Sequence, residues 1–156
     1  MEKFLQNLEE ADRITKVADH LLYMTYPIVK DKKLLLKILT EINNAVLKNI
    51  TAILQYEYLY QRISLTKNPK ENFQIFQTKC APRYSITEKE INSIIELVDL
   101  TEKHKSSPME FVKDEKLVIL SENMNQKVIN VEKIKEFIEL AKSLSRKTRN
   151  VLLGVN

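Results

Sequence analysis

The stretch that decides the fold is DKKLLLKILTEINNAVLKNITAILQYEYLYQRISL, residues 31–65. Leu35, Ile38, Leu39, Ile42, Val46, Ile50, Ile53 and Tyr60 recur at three- and four-residue steps, the spacing of one face of an α-helix. Asp31 stands where an N-cap belongs, and no proline or glycine interrupts the pattern before Leu65. The spacing predicts one helix about 50 Å long. Upstream, Phe4, Leu5, Leu8, Ala11, Ala18, Leu21 and Leu22 form a second stripe. It predicts a helix over 2–24, ended by Pro27, with Glu9–Arg13 and Asp12–Lys16 spaced as ion pairs. The connection is short, so the two helices are expected antiparallel, the first covering only the first half of the second.

Downstream, TKNPKEN (66–72) reads as a break, followed by a short helix over 71–79 and a loop, CAPRYS (80–85). Thr87 and Glu90 form a capping box that opens a helix over 88–104, with Ile91, Ile94, Ile95 and Val98 as its stripe. Ser107-Pro-Met-Glu110 reads as a second capping box opening a turn or two of helix. KLVIL (116–120) and KVINV (127–131) read as two short strands. An isolated ribbon is marginal in water, so it must pack on the helices. Asn130 is the expected cap of a last helix reaching Leu153, with Ile134, Phe137, Ile138, Ala141 and Leu144 inward. The fold class is therefore mainly α: a bundle around a long antiparallel helix pair, with one small β-hairpin before the C-terminal helix. The 156 residues read as a single domain, 1–156, long enough to bury a core.

Composition removes whole classes of function. The chain has one glycine, Gly154, so no phosphate-cradling loop, dinucleotide fingerprint or nucleophile elbow can be built. A single cysteine cannot form an internal disulfide, which suits a reducing compartment and a cytoplasmic location. The start, MEKFLQNLEEADR, carries acids where a signal peptide needs an apolar run. No run approaches the length of a spanning helix, so no membrane partner is expected. Neither His20 nor His104 completes the Glu-x-x-His spacing of a bundle metal site, because Val17 and Thr101 stand in the glutamate positions. No metal and no cofactor are expected.

DHLLYMTYPIVKDKKLLLKIL (19–39), with the tyrosine-rich end of the second helix and the CAPRY loop, resembles an uncharacterised archaeal family of small helical proteins. That family is similar in outline to HEPN-type domains, bundles built on a long helical pair. The resemblance implies dimerisation, and either a binding role or metal-independent RNA cleavage through an Arg-x(4–6)-His motif. Arg13 and His20 match that motif in letters, two turns apart on one helix face, although on the first helix rather than a late one. The plainer reading is a solvated face with Arg13 paired to Glu9.

Other candidates rest on the residues alone. The net charge of +4 comes from the last thirty residues, where seven basic side chains meet three acids. Lys142, Arg146, Lys147 and Arg149 there could meet RNA or an acidic protein, or could complement a helix C-terminus. Lys30, Lys32 and Lys33 surround a helix start, where exposed amides suit an anion. Ile53, Tyr56, Tyr60 and Ile63 are the candidate contact with a second copy, since tyrosine is favoured at interfaces. Glu57 falls close to the apolar stripe and, if buried, needs a partner such as a tyrosine hydroxyl. Lys79 and Arg83 near Cys80 could lower its pKa, or the thiol could simply be buried and inert. The function expected is a non-enzymatic homodimeric interaction module. The alternative is a HEPN-like RNA-binding protein or metal-independent endoribonuclease.

Overall fold

The computed structural model describes residues 2–106, 109–113, 116–120 and 126–154. In chain order the elements are α1 (Lys3–His20), a π-helical turn (Leu21–Thr25), α2 (Tyr26–Val29), α3 (Lys32–Leu59), α4 (Pro69–Ile75), a second π-helical turn (Phe76–Cys80), α5 (Glu88–Ser106), β1 (Met109–Lys113), β2 (Lys116–Leu120), β3 (Gln126–Asn130) and α6 (Val131–Leu152). The chain is a helical bundle around the antiparallel α1–α3 pair, with α6 packed on both and α5 on α3 and α6.

The stripes read from sequence are largely the ones buried, although Tyr60, at the end of the α3 stripe, is exposed. Ala18 and Leu22 of the first helical stretch share one core cluster with Leu35, Ile38, Leu39, Ile42, Val46, Ile50 and Ile53 of α3 and with Ile134, Phe137, Ile138, Ala141 and Leu144 of α6, while Leu8 packs with Phe4 and Ala52 in a second cluster. Three caps sit where expected. Asp31 accepts from the Lys33 amide at 2.9 Å, Asn130 accepts from the Lys133 amide at 2.8 Å, and Thr87 and Glu90 exchange bonds of 3.0 and 3.1 Å. In α5 the stripe runs through Leu97 and Leu100 instead of Ile95, which is exposed.

Four expectations need correcting. The first helix is not ended by Pro27, which lies inside α2. Both π turns are followed by a proline two residues on, Pro27 and Pro82. A π turn displaces the carbonyl that a proline ring would strike and that its missing N–H would leave unpaired, so the helical path bends and continues. Next, α3 ends at Leu59 rather than near Leu65. Its 28 residues make it about 42 Å long. It also does not outrun α1: Phe4 lies edge-on to Tyr56 at 5.2 Å between ring centroids, and Asn7 donates to Gln55 at 2.9 Å. Because α1 reaches the far end of α3, that half is covered from within the chain. Finally, Met109 and Glu110 belong to a strand, not to a capped helix; Ser107 and Pro108 lie outside the described residues. β1 pairs antiparallel with β2 (Met109 opposite Leu120), and β2 with β3 (Lys116 opposite Asn130), so the expected ribbon supplies the centre and one edge of a three-stranded sheet. The run MEFVK finds a β2 edge to pair with, and that ladder outweighs local capping letters.

Three helical turns end without glycine, and only the last helix, α6, is followed by one, Gly154 at φ 63°. Lys30, Gln61 and Ser85 have φ of 51°, 60° and 58°. After α3, Arg62 N–H bonds Glu57 C=O at 3.0 Å and Gln61 N–H bonds Tyr58 C=O at 3.0 Å; after the CAPRY turn, Ile86 N–H bonds Ala81 C=O at 2.9 Å and Ser85 N–H bonds Pro82 C=O at 3.2 Å. Both are Schellman closures, whose left-handed residue is usually glycine. A side chain there is strained by about 1–2 kcal/mol, partly offset by the freedom glycine loses on folding. Gln61→Gly should therefore raise stability by about 0.5–1 kcal/mol, read as a higher urea midpoint. A lowered midpoint would show that Gln61 is not strained.

Candidate functional site

Where α3 closes, the chain assembles its densest set of ionisable groups. Glu57 sits on the inward stripe of α3, only 1% exposed. The Schellman turn brings Arg62 back over it, and Nη1 donates to Oε2 at 2.7 Å. From the CAPRY turn, Arg83 Nε lies 2.8 Å from Oε1. Each carboxylate oxygen thus faces one guanidinium, and both guanidiniums remain partly exposed, with side chains 39% and 43% accessible. Arg62 also lies over the Tyr56 and Tyr60 rings, at 5.8 and 5.3 Å.

Two more groups line this corner. Burial pushes the Cys80 thiol up to about 11, the Glu57 charge adds to that, and Arg83 only partly offsets it. The thiol is therefore protonated at neutral pH, which agrees with the buried, inert reading of Cys80 rather than with a thiol activated by Lys79 and Arg83. The buried Tyr84 hydroxyl is raised as well, by burial and then by Glu57 and Cys80. Among the described residues its hydroxyl has no hydrogen-bond partner. With the carboxylate paired and the thiol neutral, the arrangement fits an electrostatic latch between α3 and the CAPRY turn. The latch answers the sequence's question about Glu57 with arginines rather than a tyrosine hydroxyl. Arg62 was visible as a neighbour; Arg83, 26 positions away, could be found only by asking what cation a buried carboxylate must recruit.

The basic residues of α6 are divided between two neighbours. Lys142, Arg146 and Arg149 line a groove of about 430 Å³ against Asp12, Lys16 and Asp19 of α1. Lys142 pairs with Asp19 at 2.9 Å, and Arg149 with Asp12 at 3.4 Å. The hydrogen bond it donates to Asp19 holds the Lys142 ammonium above its ordinary pKa. Lys147 faces the other way, bonded to Ser85 C=O at 2.7 Å and paired with Glu90. The excess charge of the last segment is thus met by acids of α1 and α5.

The remaining candidates fall as follows. Arg13 is exposed and bonds Glu10 through Nε at 3.0 Å, in place of the expected Glu9; His20 is exposed at the end of α1. Lys30, Lys32 and Lys33 flank the start of α3, where the Asp31 carboxylate accepts from the Lys33 amide. Of the interface set, Ile53 and Ile63 are buried in the protein's own core and Tyr56 is half-buried, leaving Tyr60 exposed beside Tyr58 and Leu59. No protein-family model matches this chain, and neither does any curated protein. Among the described residues no helix is long and apolar enough to cross a membrane.

Glu90 joins α5 to α6. It accepts from the Thr87 amide at 3.0 Å and from Ser143 Oγ at 2.7 Å, and it pairs with Lys147. Burial alone would raise its pKa, but the bonds from Lys147, Thr87 and Ser143 outweigh burial and hold it below the ordinary value. A depressed carboxylate contributes stability that is complete above its unfolded pKa, about 4.3, and is lost as pH falls through the folded value. Glu90→Gln should cost about 1–2 kcal/mol at pH 7 and flatten the fall in stability on the acid side of pH 4.3. An acid limb identical to wild type in pH-dependent urea unfolding would contradict the assignment.

Proposed function

We propose that this protein is a non-enzymatic helical interaction module, HEPN-like in outline, that works as a homodimer. The supporting observation is the surface left where α3 stops. Tyr58, Leu59 and Tyr60, all more than half exposed, follow one another on the last turn. Beside them lies a hollow of about 740 Å³ lined by Phe4, Tyr58, Leu59, Ile63 and Leu65. Its lining also includes Glu2 and Lys3, one charge of each sign, so a two-fold copy meets no like-charge barrier.

The alternative, an RNA-binding or RNA-cleaving protein of similar outline, draws on Lys16, Lys142, Arg146 and Arg149 around the α1–α6 groove. Asp12 and Asp19 in the same groove oppose a phosphate backbone, and Arg13 is engaged by Glu10, so the module takes precedence. Light scattering behind a sizing column tests it. Wild type should show twice the 18.3 kDa protomer mass, and Leu59→Glu with Tyr60→Glu should show one protomer. A wild type that stays monomeric at high concentration would remove the homodimer. Co-purifying RNA, released by added salt, would then favour the alternative.

A further inference from the structure

At the opposite end of α3 the chain carries an apolar knob that its own fold does not use. Met24, Ile28 and Val29 are 61%, 84% and 55% exposed, and Pro27 between them is exposed too. The backbone of the turn is already closed by the Lys30 N–H to Tyr26 C=O bond at 2.8 Å. Polar side chains would serve the turn equally well, so the aliphatic ones ask for another reason. Immediately after the knob come Lys30, Lys32, Lys33 and Lys37, against a single acid, Asp31, whose carboxylate is turned back onto the Lys33 amide. On the knob's other flank, the exposed Tyr23 ring lies between the ammonium groups of Lys135 and Lys142, at 5.7 and 5.8 Å.

We propose that this tip is a docking surface for an anionic lipid bilayer. Aliphatic side chains on a projecting turn can enter the boundary between headgroups and acyl chains. The lysines beside them then meet anionic headgroups, and Tyr23 sits at the level that aromatic side chains favour. A second copy is disfavoured as the occupant, because lysines would face lysines. An acidic protein would need an apolar socket shaped to the knob, whereas a bilayer takes it without one. Among the described residues no helix is long and apolar enough to cross a membrane, and a surface contact needs none. This inference does not rest on the dimer, which uses the other end of α3.

Vesicle co-sedimentation of the full chain tests it, with phosphatidylcholine alone and with phosphatidylcholine mixed with phosphatidylserine. Wild type should pellet with the mixed vesicles at low salt, stay in solution with phosphatidylcholine alone, and be released by added salt. Ile28→Asp with Val29→Asp, and separately Lys30→Glu with Lys33→Glu, should each weaken binding about tenfold or more. All four side chains are exposed, so melting temperature and sizing-column mass should stay those of wild type. Wild type that ignores mixed vesicles at low salt, or binding that survives both variants, would overturn the proposal and leave the tip to an acidic protein partner.

Discussion

A carboxylate buried on the inward stripe of a long helix constrains everything around it. Glu57 has almost no contact with water, and an unpaired buried charge costs several kcal/mol. The chain answers with two guanidiniums from different places. Arg62 reaches it only because α3 ends in a tight left-handed closure at Gln61. Arg83 reaches it only because the CAPRY turn is folded onto the end of α3. The π turn before the CAPRY turn packs on α3 as well, with Phe76, Cys80 and Tyr84 in the shared core. Neither arginine is fully buried, so each keeps part of its hydration, and the pair costs less than a wholly buried one.

Many other charges are also met within the chain. Lys142 and Arg149 hold α6 to α1, Lys147 holds it to α5, and Lys133 reaches Glu96 of α5 at its start. A basic C-terminal segment that looks available in sequence is thus largely the inner stitching of a bundle. Among the described residues, most of the large aliphatic and aromatic groups left exposed lie at the two ends of α3, Tyr23 to Val29 at one and Tyr58 to Tyr60 at the other, while Val17, Leu47, Ile95, Val128 and Leu153 lie elsewhere.

The sequence made the periodic elements legible because their signal is repeated many times: the stripes of α1, α3 and α6 each carry several apolar residues in phase. The Thr87–Glu90 box and the Asn130 cap were legible because their chemistry is local. Helix ends were not. The usual stop signal is glycine, and this chain uses Lys30, Gln61 and Ser85 in left-handed positions, so the end of α3 read several residues too late. Pro27 read as a stop because a π turn ahead of it leaves no mark in the letters. β1 was missed because its strand character comes from pairing with β2. The reach of α1 was underestimated even though Phe4 and Leu8 belonged to its stripe, since periodicity does not say how two helices are offset. For the site, Glu57 was suspected and Arg83 was not, because contact across 26 residues is a tertiary fact.

The latch at Glu57 is most directly tested by a double-mutant cycle in urea unfolding at neutral pH. The four proteins are wild type, Glu57→Ala, Arg83→Ala and the double variant. The account predicts a coupling energy of at least about 1 kcal/mol, with the second substitution costing far less once the first is made. Additive losses, agreeing within about 0.3–0.5 kcal/mol, would show that Arg83 does not hold Glu57 and that the end of α3 is fixed by something else.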